Sequence, residues 1–167
     1  ATGLTNAYSD AQDLYIETVN PDNPNEYLEG EVPKPFKVVE EVIRVRDGDS
    51  ENGFREVTVP IRFTRRGPVI SDLLPNMKSD RVISLRWSAA ENMSSKLGMT
   101  HLLEAHSVDE AREVLKDVTM SFHNVTMADI DGNIGWQTLG RIPIRKAGEG
   151  MLPKKVVDTT DNWLGYI

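Results

Sequence analysis

The sequence predicts an α+β fold, mainly antiparallel β with few helices. Three observations carry that expectation. Apolar and polar residues alternate in short runs separated by Gly, Pro, Asn and Asp. A single window has clear helical periodicity. The stretch from Asn124 to Arg145 reads as a hairpin. In that hairpin Val125, Met127 and Ile130 mark an apolar strand, and Asp131-Gly132-Asn133 supplies residues that tolerate the positive φ of a tight turn. Ile134, Trp136 and Thr138 then alternate with Gly135, Gln137 and Leu139. Gly135 and Gly140 lack a Cβ, so a neighbour can approach closely there. Pro143 has no N–H for a ladder and ends a strand or lies on an edge.

The 167 residues suffice for one domain with a core. The formal charge of −7 disfavours nucleic acid and anionic membrane surfaces as partners. There is no Cys, hence no disulfide and no thiolate site. No apolar run is long enough for a membrane-spanning helix. The chain opens Ala1-Thr-Gly-Leu without an initiator Met and stops at Tyr166-Ile167, which suggests a piece of something longer.

Taken in order, Gly3 to Asp13 is turn-rich and reads as a loop. Asp10 and Asp13 flank a bend; they either cap local N–H groups, the plainer reading, or share a hard cation. From Asp13 to Thr18 a strand places Leu14, Ile16 and Thr18 on one face and Asp13, Tyr15 and Glu17 on the other. Asn20 to Asn25 holds two prolines and four Asn/Asp residues and reads as a loop. Tyr27 to Val32 makes a small hairpin around Gly30. Lys37 to Arg46 and Glu56 to Thr64 pair antiparallel with one buried face, Val57, Val59, Ile61 and Phe63; Pro60 marks an edge or a bulge. Arg65 and Arg66 are adjacent and able to clamp an anion, but exposed charge is the rule, and a solvated turn is the expectation. Asp80 to Trp87 is a further strand.

Ser107 to Val118 is the firm helix. Ser107 is a natural N-cap and Glu110 completes a capping box. Val108, Ala111, Val114, Leu115 and Val118 form its apolar stripe. A second helix is expected near Leu97–Leu103. The tail from Lys146 reads as loop until Trp163.

Several chemical motifs fail. His101 and His106 are five apart, not on one helix face as zinc-binding histidines four apart would be. Asp129-Ile-Asp131-Gly-Asn133 starts like an EF-hand, but Gly falls one place early and position twelve is Gly140. There is no P-loop, no dinucleotide fingerprint and no nucleophile elbow. Asn92-Met-Ser94 and Asn124-Val-Thr126 are glycosylation sequons, meaningful only in a eukaryotic secreted protein.

One resemblance runs along nearly the whole chain. Gly3-x-Thr5-Asn6 … Asp10-x-x-Asp13-Leu-Tyr-x-Glu17, Arg66-Gly67-Pro68-Val69, Ile83 to Trp87, Asn124, Ala128-Asp129, Gly132-Asn133-Ile134-Gly135, Gly140-Arg-Ile-Pro143-Ile-Arg145, Gly148 and Trp163-x-Gly165 stand in the order seen in the penicillin acylase family. That family belongs to the N-terminal-nucleophile hydrolases. Arg66 stands where the family usually has His.

The resemblance implies an internal fragment, 1–167, of the large (β) subunit. Its fold is part of an αββα sandwich plus a β-rich lobe at about residues 20–80; about residues 81–145 give a strand, a helix and a hairpin joining the central sheets. It implies an amidohydrolase that cleaves penicillin-type or acyl-homoserine-lactone-type amides. A Ser, Cys or Thr at the new N-terminus of a self-cleaved precursor attacks, with its own α-amino group as base. Ala1 is no such nucleophile, and the matching position lies upstream. The fragment alone is therefore expected to be inactive, and its partners to be the small subunit, the rest of the large subunit and a small amide substrate. By resemblance Asn6 donates its backbone N–H to the oxyanion, and Trp87 and His123 line the acyl pocket, His123 in place of an apolar residue. Asp10, Gln12, Asp13 and Met151 match a structural calcium site whose usual Pro near Gly150 is missing. Location would be periplasmic or extracellular. The alternative is a non-catalytic binding or structural module of related fold.

Overall fold

The computed structural model describes residues 1–74, 81–91, 98–119, 122–146, 150–157 and 163–167. Asp80, the Asn92 sequon, Leu97 and Gly148 lie outside the described residues. Among those residues the strands are β1 (Thr2–Asn6), β2 (Gln12–Asn20), β3 (Asn23–Glu29), β4 (Val32–Pro35), β5 (Lys37–Arg46), β6 (Phe54–Thr64), β7 (Gly67–Pro68), β8 (Val82–Trp87), β9 (His123–Ala128), β10 (Ile134–Leu139), β11 (Pro143–Arg145), β12 (Lys154–Lys155) and β13 (Trp163–Tyr166). The helix α1 is Val108–Lys116, and Gly98–Glu104 forms a 3₁₀ helix where a second helix was expected. The α+β class with dominant antiparallel strands is as the alternation predicts.

The chain divides into two units. The first holds Ala1–Ala11, Trp87–Gly148 and Asn162–Ile167; the second holds Gln12–Arg86 and Glu149–Asp161.

In the first unit β1, β9 and β10 form an antiparallel sheet with β9 in the middle. The Gly3–Asn6 segment is thus a strand, not a loop. Its Gly and Asn weaken intrinsic strand preference, but pairing with β9 from Thr2–Met127 to Asn6–His123 overrides it. α1 lays Val108, Ala111 and Leu115, with Val118 just past its end, against Val125, Met127 and Leu139 in one buried cluster. Each buried Val, Leu or Met side chain among them contributes about 1.5–3 kcal/mol. A Cβ on Gly135 would meet Val108 Cγ1 at 2.6 Å, so the bare backbone there lets the helix seat on the sheet. Ser107 caps α1 by accepting from the Glu110 N–H at 3.2 Å. The capping box is displaced by one residue: the Glu110 carboxylate accepts from the His106 N–H at 2.8 Å rather than from that of Ser107.

The β9–β10 connection is wider than the three residues the sequence suggests, because Asp129 organises it. Its Oδ1 accepts from the N–H groups of Asp131 and Asn133 at 3.1 and 2.9 Å. Its Oδ2 accepts from the Asn133 side chain at 2.9 Å and from Val108 N–H at 3.3 Å. Ile130, expected in the strand, rides at the loop tip, 98 % exposed. Hydrogen bonding, first from the Asn133 side chain, holds the Asp129 carboxyl below the usual carboxylate range.

The second unit has two sheets. One runs β12-β2-β3-β4 with β8 also on β2, and the other runs β5-β6-β7. β12 is parallel to β2. Tyr27, Phe36, Val69 and Val82 form the apolar cluster, with the Tyr27 and Phe36 rings 5.2 Å apart. β3 starts at Asn23, so the Asn/Pro-rich segment is half strand; the Asn20 and Asn23 side chains each accept from the N–H two residues on, which shapes the turn. β5 and β6 pair from Lys37–Phe63 to Arg46–Phe54 without a register shift, so Pro60 marks no bulge. Among the described residues β7 pairs with β6 at Phe63 and Thr64, which leaves Pro60 on an open edge. The face of Val57, Val59, Ile61 and Phe63 is half-buried rather than buried, and Ile43 opposite Val57 is 50 % exposed.

Gly135→Ala should lower stability by about 1–3 kcal/mol, as overpacking does. Urea unfolding monitored by circular dichroism would read this as a lower midpoint at constant slope; an unchanged midpoint would mean that Val108 does not bear on Gly135.

Candidate functional site

The first unit brings two of the three residues implied in catalysis and acyl binding side by side. Asn6 is the last residue of β1 and His123 the first of β9, and they are register partners. The Asn6 carbonyl accepts from the Asn124 side-chain amide at 3.3 Å, and Asn124 Oδ1 in turn accepts from the Trp136 indole N–H at 3.2 Å. Asn124 therefore ties the end of β1 to both strands of the hairpin. Trp87 ends β8, which pairs with β2 and not with β1 or β9, and it is 42 % exposed.

Beyond Asn6 the chain turns sharply. Ala7 N–H donates to the Phe122 carbonyl at 3.2 Å. Tyr8 has φ of 49°, a left-handed conformation costly for a bulky side chain. Asp10 meets Arg145 twice: its carbonyl accepts from Nη2 at 3.1 Å, and its Oδ1 lies 3.3 Å from the same nitrogen. Ser88 N–H donates to the Ala11 carbonyl at 3.1 Å.

The four residues implied as calcium ligands fall in both units. Asp10 belongs to the first; Gln12, Asp13 and Met151 belong to the second. Asp13 is buried, accepts from the Tyr15 hydroxyl at 3.4 Å and has Lys154 Nζ at 3.7 Å. Gln12 is exposed and Met151 is 81 % exposed. Among the described residues no group of three or more His, Asp or Glu is placed to hold a metal. Calcium takes six to eight oxygens, so the donors within either unit would make only part of a shell.

The second unit contains a polar cluster that the sequence did not announce. β2 turns Asp13, Tyr15 and Glu17 inward rather than its more apolar face. The Glu17 carboxylate accepts from Ser84 Oγ at 2.6 Å and Thr64 Oγ1 at 3.0 Å, and pairs with Arg66 Nη1 at 3.3 Å. Arg66 also faces Glu29 at 3.7 Å, and Arg65 bonds the same Glu29. The expected solvated turn is thereby corrected at Arg66, while Arg65 stays exposed. The Arg66 side chain is 2 % exposed and clamps carboxylates of its own chain. Its guanidinium carbon lies 5.3 Å from the centre of the Tyr15 ring. Burial first, then the Asp13 charge, pushes the Tyr15 hydroxyl up to about 12. Composition and periodicity gave no sign of these partnerships, because they join positions 47 and 67 residues apart.

The fold matches that of a thermostable penicillin G acylase from Alcaligenes faecalis, with a TM-score of 0.80 over 100 % of this chain and 29 % of that one, at 24 % identity. The family model for penicillin amidase matches residues 1–167, and the chain belongs to that family. The acyl-homoserine lactone acylase QuiP of Pseudomonas aeruginosa is 28 % identical over 99 % of this chain and 20 % of its own length. Penicillin G acylase of Escherichia coli is 26 % identical over 96 % of this chain and 18 % of its own. The chain thus spans about a fifth of the length of the curated relatives it matches.

For Tyr15 the sign of the pH effect is fixed. Its neutral form is favoured by folding, so the stability it contributes is whole below the unfolded value of about 10 and is lost as pH rises through about 12. Tyr15→Phe should flatten the fall in melting temperature between these values. An equally steep fall in the variant would assign the alkaline loss to another group.

Proposed function

We propose that this chain forms part of the large subunit of an acylase that hydrolyses linear acyl amides, of the penicillin or acyl-homoserine-lactone type. The single observation that supports this most is the end-to-end family match, with Asn6 held at the end of β1 against His123. The attacking group is a Ser, Cys or Thr hydroxyl or thiol outside these residues, with its own α-amino group as base; that amine has an ordinary pKa near 8. As the tetrahedral intermediate forms, charge develops on the carbonyl oxygen, and the Asn6 N–H is the donor this chain offers it. A fixed donor of this kind is worth about 2.7–4 kcal/mol in the transition state. Trp87 and His123 act as walls of the acyl pocket. Calcium would have a structural role in the parent protein and supply no step; Asp13 and the carbonyls of Gln12 and Met151 are the donors that the second unit would offer it. The half-exposed apolar face of β5 and β6 is covered in the parent by the rest of the precursor. The parent works in the periplasm or outside the cell.

The test is the full reading frame, expressed and characterised by intact mass and N-terminal sequencing. Two chains are expected, the larger led by Ser, Cys or Thr and containing these residues, with hydrolysis of acyl amides. The 167-residue piece alone should show no turnover. A single unprocessed and inactive chain would overturn the reading.

A further inference from the structure

We propose that Arg145 is a positioning residue for the oxyanion donor: from β11 its guanidinium clamps the loop leaving Asn6 and so steadies the end of β1 that carries the Asn6 N–H. This rests on the acylase reading of Asn6 given above.

The loop from Ala7 to Ala11 is tethered at three places. Two are main-chain bonds, Ala7 N–H to Phe122 and Ser88 N–H to Ala11. The third is the two-point contact of Arg145 Nη2 with the Asp10 carbonyl and carboxylate. Between the first and third tethers stands Tyr8, the one non-glycine residue at positive φ among the described residues. Its side chain is 90 % exposed, so no packing of the ring holds that conformation. A strained turn persists only where its flanks are fixed; Arg145 fixes Asp10, two residues past Tyr8, beside the Ser88 tether at Ala11. The arginine is built for this. Its side chain is 9 % exposed, its guanidinium carbon lies 5.9 Å from the centre of the Trp163 ring, and Arg145 pairs with buried Trp163 across β11 and β13. Releasing Asp10 would let Tyr8 relax, pull on the Ala7 tether to Phe122 and shift the end of β1 that carries the Asn6 N–H. A misplaced donor weakens the transition state while leaving ground-state binding intact.

The experiment uses the full-length, self-processed parent with Arg145→Met and Arg145→Lys, and a chromogenic acyl anilide as substrate. Arg145→Met should lower kcat about 10–100-fold with KM within about two-fold, as small displacements of a catalytic group do. Arg145→Lys, which keeps a cationic donor on a shorter side chain, should recover part of that loss. Amide hydrogen exchange should rise in residues 7–11 of the Met variant while residues 123–139 keep their protection. Unchanged kcat, or a raised KM at constant kcat, would overturn the proposal. Should the Met variant fail to mature, the same kcat-against-KM split in the Lys variant decides. A wild-type parent that cleaves no acyl anilide would defeat the acylase reading instead. The clamp then stands or falls on the exchange of residues 7–11, and unchanged exchange there would overturn it.

Discussion

The ion pair between Glu17 and Arg66 is the constraint on which the second unit depends. Both side chains are almost fully buried, at 0 % and 2 % exposure. A buried carboxylate is tolerated only with charge and hydrogen bonds around it. Glu17 has two hydroxyl donors and a guanidinium. Glu17 stands on β2, and its partners come from the end of β6, from the turn after it and from β8. Satisfying one carboxylate therefore fixes four segments at once. The Val69–Ser84 bridge and the Ile70 N–H to Ile83 bond lie beside it and join β8 to the chain leaving β7. Gly67 is needed here: its φ is 145°, and a Cβ would fall 2.0 Å from the Leu85 carbonyl oxygen.

The first unit is held by a different balance. Apolar burial of α1 on β9 and β10 supplies the stabilisation, and Asp129 supplies the direction. That one carboxylate closes the hairpin loop and also receives the first N–H of the helix. An anion at a helix N-terminus meets both free donors and the positive end of the dipole. Its stability contribution is present above the unfolded carboxylate pKa and fades as pH falls through the lowered folded value.

What the sequence disclosed follows from range. The helix, its cap, the β9–β10 hairpin and the β5–β6 pair are local, and their periodicity and turn residues sufficed. β1 was missed because its stability comes from a partner more than a hundred residues away. Arg66 was misread for the same reason: nothing near it in sequence tells a buried clamp from a solvated turn, and only its exposed neighbour Arg65 fits the turn. The inward face of β2 reversed the usual rule, since Asp13, Tyr15 and Glu17 are inside only because Lys154, Arg66, Thr64 and Ser84 meet them there. Of the site, Asn6 and His123 came from motif order, and the structure makes them neighbours. The roles of Asn124 and Arg145 as tethers needed coordinates, although both stand within the motifs that carry the family resemblance.

The most direct measurement is a double-mutant cycle on Glu17 and Arg66 with Glu17→Gln, Arg66→Met and the pair, read by urea unfolding. Each single change strands a buried polar partner and should cost about 3–5 kcal/mol. The double variant should cost less than their sum by about 1–3 kcal/mol. Losses that add to within about 0.5 kcal/mol would mean that the two charges do not act as a pair, and the second unit would need another organising contact.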